Sequence, residues 1–141
     1  MQGNAQPHHA AFAQLAAKGA DARRIAHLSA STWRDIDAAL SPIVGPRGVA
    51  ALFNRSLFVT SAHYPCLTAV RESDSPPGEF ATLQATLAQQ TTSNAASASD
   101  ALLQTFKQLL TKLIGGSLTE RLLESVLNNL SCGSAVQDIS S

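Results

Sequence analysis

Apolar positions along the chain recur mostly at steps of three and four, the spacing that lines one side of an α-helix. Ile25, Leu28, Thr32, Ile36, Ala39 and Ile43 form one such stripe, with Trp33 beside it. Val49, Leu52, Phe53, Leu57 and Thr60 form the next. A first helix is predicted after Pro7, running through "HHAAFAQLAAK" to Gly19, with Phe12 and Leu15 as its apolar side. Pro42 is expected to end or kink the second helix. Its ring clashes with the Ala38 carbonyl, and its nitrogen carries no hydrogen.

Further along, Pro65 can open a short helical turn carrying Leu67 and Val70, and "RESDSPPGE" reads as a loop. Phe80, Leu83 and Leu87 mark another helix. It is expected to fade into the polar tract "QQTTSNAASAS", a frayed end or an exposed linker. Ser97 or Ser99 is then the predicted cap of the helix in "DALLQTFKQLLTKLIGG", and Ser117 to Glu120 has the form of a capping box.

Helical phase marks a break at Gly115–Gly116. Leu103, Phe106, Leu110 and Leu113 share one face, and Leu118, Leu122, Val126 and Leu130 share another, turned by roughly 150° at about 100° per residue. Either the glycines start a new helix or one long helix is sandwiched between two partners. The expected architecture is all-α, a single-domain bundle of five or six helices over residues 1–130, followed by a disordered tail at 131–141. No internal repeat is visible. The predicted core includes Ile25, Ile36, Leu52, Phe53, Leu57, Leu83, Phe106, Leu110 and Leu122.

Composition supports the helical prediction. The chain has 141 residues and is 45% hydrophobic, mostly Ala and Leu, with 5% aromatics. Ala and Leu lose little on entering a helix, whereas strands favour β-branched and aromatic side chains. The formal net charge is zero, which argues against a nucleic-acid or membrane-surface binder. The charge is uneven, however. Residues 1–64 hold six Lys/Arg against three Asp, a balance of +3, and residues 65–141 hold four against seven acids, a balance of −3. The two cysteines, Cys66 and Cys132, have no paired spacing, and free thiols in a reducing compartment follow. With no secretory pattern at the start and no apolar run long enough for a membrane, the chain is expected to be soluble and cytoplasmic.

Candidate chemistry is sparse. "GPRG", residues 45–48, has the Gly-x-x-Gly form of a backbone-clamping loop, but that module needs strands beside it and none is predicted. As a helix–helix hinge, each residue has a job. His8 and His9 are adjacent and so do not share a helix face, and His27 reads as an ordinary surface histidine. No metal-ligand spacing is present, and no cofactor is expected. His63 and Cys66 are close in "HYPC", yet a thiolate nucleophile needs a base and an orienting group, and nothing supplies them. Catalysis is not expected.

The stretches "WRDIDAALSPIVGPRGVAALFNRSL" and "LLTKLIGGSLTERLL" resemble segments of small, uncharacterised helical proteins from proteobacteria. The resemblance covers about a third of the chain. It implies a helical cytoplasmic protein without assigned activity and lends no site residue. The function expected is a non-catalytic helical interaction module, regulatory or signalling in kind. Its partner is another protein or a second copy, and Leu118, Leu122, Val126, Leu127 and Leu130 are the candidate interface. The alternative is a sensor that encloses a small apolar ligand between its helices.

Overall fold

The computed structural model describes residues 11–72 and 80–126. The helices are α1 (Ala11–Ala17), α2 (Ala22–Val44), α3 (Pro46–Ser61), α4 (Cys66–Glu72), α5 (Ala81–Ala88), α6 (Thr92–Ile114) and α7 (residues 116–126). The all-helical expectation holds, but the count among the described residues is seven. The predicted disordered tail lies outside them.

Two boundaries differ from the sequence reading. Pro42 does not end α2, which continues to Val44 and closes with the Gly45 N–H donated to the Ser41 carbonyl at 2.8 Å. The loss is confined to the one bond that Pro42 cannot donate to the Ala38 carbonyl, and so near the C-terminus the helix tolerates it. The tract "TTSNAASAS" is neither frayed nor a linker: α6 begins at Thr92, and Thr91 caps it by accepting the Asn94 N–H at 3.1 Å. Ala95, Ala96, Ala98 and Ser99 are all buried there. Small side chains let helix axes approach closely, so this segment packs without the large apolar residues that would have announced it.

The chain is internally duplicated. Three helices return seventy positions later: α1 as α5, the 23-residue α2 as the 23-residue α6, and α3 as α7, while the positions seventy after α4 lie outside the described residues. The joints match too. Asp21 caps α2 by accepting the Arg24 N–H at 2.9 Å, as Thr91 does for α6. Gly45 and Gly115 separate the long helix from the next with φ of +84° and +93° and the same ψ of 155°. All eight buried residues of α6 fall seventy positions after a buried residue of α2. The halves exchange their short helices, α5 packing on α2 and α1 on α6. Identities such as Ala26/Ala96, Ser29/Ser99, Leu40/Leu110 and Gly45/Gly115 are too few for the repeat to show in the sequence.

Four aromatic rings lie in the core shared by both halves. Trp33 stands edge-on to Phe53 and to Phe106, each at 4.9 Å between centroids, and Phe80 meets Phe53 at 5.2 Å. Such edge-to-face pairs add roughly 0.5–1.5 kcal/mol each beyond area burial. Of the predicted core, Leu52 and Leu122 are only partly buried, while the other seven residues are buried.

Candidate functional site

Two places in this scaffold hold polar or exposed groups that the fold itself leaves unusual. The first is on α6. Asp100 is carried on the small-residue turn of α6 to the start of α1, where its two carboxylate oxygens accept the N–H groups of Phe12 and Ala13, each at 2.9 Å. A carboxylate at a helix N-terminus meets donors that have no partner inside the helix and a favourable dipole. Burial outweighs those two hydrogen bonds and pushes the Asp100 carboxyl up to about 6. Beside it, Tyr64, Ser97, Ala101 and Gln104 complete an open, shallow groove. Both oxygens of Asp100 are engaged with α1, so the group acts as a clasp between the two halves.

The second is the outer side of α3. Val49, Phe53, Ser56, Leu57 and Thr60 face inward and are buried. On the opposite side Arg47, Ala51, Arg55, Phe58 and Ala62 are exposed and follow one another at steps of four, four, three and four, a stripe along the helix. Phe58 is 53% exposed and Val59 beside it 42%. The guanidinium of Arg71, from α4, sits 4.9 Å from the Phe58 ring centroid, and that of Arg55 sits 5.9 Å from it. No acidic residue occurs in the chain between Asp37 and Glu72, so α3 itself carries no acid. Its exposed residues are basic, apolar or the neutral Asn54, and the acid nearest in sequence is the exposed Glu72, next to Arg71 on α4.

The residues singled out from the sequence fall elsewhere. "GPRG" is the corner between α2 and α3, with Pro46 opening α3 and Arg47 exposed. His27 and His63 are exposed, and Cys66 is half-buried. Burial raises the Cys66 thiol, the opposite of what an activated thiolate needs. Among the described residues no cluster of His, Cys, Asp and Glu could hold a metal ion. In the candidate interface, Val126 is buried in the core, Leu122 packs against that core, and Leu118 is exposed, while Leu127 and Leu130 lie outside the described residues. His8, His9 and Cys132 lie outside them too. The sequence reading of α3, with Val49, Leu52, Phe53, Leu57 and Thr60 as its inward stripe, leaves Phe58 out of that stripe. It missed Arg71 as its companion, because that contact spans two helices.

Compared with family models, with curated proteins and with solved structures, the chain matches none. Among the described residues no helix is long and apolar enough to cross a membrane.

Proposed function

We propose that this protein is a non-catalytic helical interaction module, acting by presenting the outer side of α3 to a protein partner. The observation that carries the proposal is Phe58, a large aromatic more than half exposed while Trp33, Phe53, Phe80 and Phe106 are buried together in the core. Leaving half of such a ring in water forgoes about half of the roughly 1.5–3 kcal/mol that full burial gives. An exposed aromatic flanked by arginine is the side-chain chemistry that dominates protein–protein contacts. The raised Cys66 thiol and the engaged oxygens of Asp100 support a role without chemistry. The alternative of a sensor with an enclosed apolar ligand has less support, since the groove at Asp100 is open and polar-edged.

The test is a photoreactive phenylalanine analogue introduced in cells at position 58, and separately at the exposed Gln108. A discrete protein adduct at position 58 and absent at position 108 is expected. No adduct at position 58 would sink the proposal.

A further inference from the structure

Building on the interaction reading above, we infer that the α3 surface is a docking site for an acidic amphipathic helix of another protein. From Arg47 to Ala62 the stripe rises by fifteen residue steps, about 22 Å at 1.5 Å per residue, a straight track suited to a partner helix of about four turns. Ala51 and Ala62 bracket Phe58, so the ring projects as the one large apolar anchor between two places where a second helix can come close.

Charge fixes the class of partner. Two guanidiniums, those of Arg55 and Arg71, are held against one ring, and Arg47 adds a third at the start of the stripe. Like charges gathered on one ring repel, and a carboxylate from a partner relieves both at once. Arg47 stands in the first turn of α3, where the macrodipole disfavours a cation. The second half of the fold forms without two of these arginines. At the equivalent positions of α7, seventy residues on, Arg47 is matched by Ser117 and Arg55 by Ser125. Stability does not explain the basic stripe, whereas recognition does.

Two other occupants fit less well. A nucleic-acid base would have to stack on the Phe58 ring in competition with the guanidiniums already there. A second copy would offer α7, whose exposed residues include Glu120 and Glu124 but also Arg121, with Leu118 only 37% exposed.

The probe is a fluorescent synthetic peptide with leucine at alternating three- and four-residue steps and glutamate elsewhere, titrated with the full chain and followed by anisotropy. Its counterpart carries glutamine for glutamate. The glutamate peptide is expected to bind about tenfold tighter than the glutamine one, and to weaken as salt screens the contact. Phe58→Ala should lose about tenfold, and Arg55→Glu with Arg71→Glu should lose binding, each variant keeping the helical circular dichroism of the parent. Equal binding of both peptides, lost in Phe58→Ala, would overturn the acidic class while leaving the interaction reading intact. Binding unaffected by these substitutions, a single-stranded RNA that displaces the peptide, or a parent that self-associates through Phe58 would each overturn the inference.

Discussion

Ser29 and Ser99 occupy the same position of two equivalent helices, each fully buried with a hydroxyl that meets no hydrogen-bond partner. Three other buried hydroxyls bond back along their helix, Thr32 to the Leu28 carbonyl at 2.8 Å, Ser56 to the Leu52 carbonyl at 2.8 Å and Thr60 to the Ser56 carbonyl. The two serines do not, and the buried Thr119 hydroxyl also lacks a partner. A buried, unpaired hydroxyl costs roughly 1–3 kcal/mol, and alanine has nearly the same volume. Ser29→Ala and Ser99→Ala are therefore expected to raise stability by about 0.5–1.5 kcal/mol each, read as a later midpoint in urea at unchanged slope. A loss in either variant would show that the hydroxyl has a partner.

Asp100 makes stability depend on pH in an unusual sense. Its folded pKa of about 6 lies above the ordinary 3.8, so between these values the native state binds the proton more readily than the unfolded chain. Stability from this group is then greatest below the ordinary value, declines as pH rises through about 6, and is level beyond. The parent is expected to gain from Asp100 on acidification from pH 7 to 4.5, and Asp100→Asn to lack that gain. Urea midpoints of both proteins across this range check it; parallel curves would place the carboxyl in water.

The two glycines of the second hinge should respond in opposite directions. Gly115 has φ of +93° with open space where a Cβ would stand, so alanine there is strained by the backbone alone, at about 1–2 kcal/mol. Gly116 starts α7, and its added Cβ would meet Thr111 Cγ2 at an ordinary 3.8 Å. Alanine at 116 is expected to stabilise by about 0.4–1 kcal/mol by restricting the unfolded chain. Thermal melts of the two variants beside the parent decide this, and the same sign for both would refute it.

Phenylalanine truncations separate the core from the proposed surface. Phe106→Ala and Phe53→Ala each break an edge-to-face contact with Trp33 and should cost on the order of 3–5 kcal/mol. Phe58→Ala should cost only about 0.7–1.5 kcal/mol, because its ring is already half in water and its arginine contacts are exposed. A large loss at Phe58 would make it a structural residue.

Helical periodicity and an Ala- and Leu-rich composition determined by themselves that the described residues are all-helical. Most of the inward sides of α2 and α3 was legible, although Ile43, read as part of the α2 stripe, is 45% exposed and Leu40 is buried instead. These properties are local: a stripe at steps of three and four needs only the geometry of one helix. The glycine breaks at 45 and 115 were legible for the same reason. What the tertiary structure decided depends on contacts between distant segments. The polar tract after Gln90 became the first turns of α6 because its alanines pack closely, which no hydropathy pattern reveals. The 70-residue duplication shows in matched joints and burial, since packing preserves the size and polarity of a position while allowing nearly every side chain to change. Asp100 meets Phe12 across 88 positions, and Arg71 meets Phe58 from a neighbouring helix. In each case three-dimensional proximity, not local propensity, brings the charge to its partner.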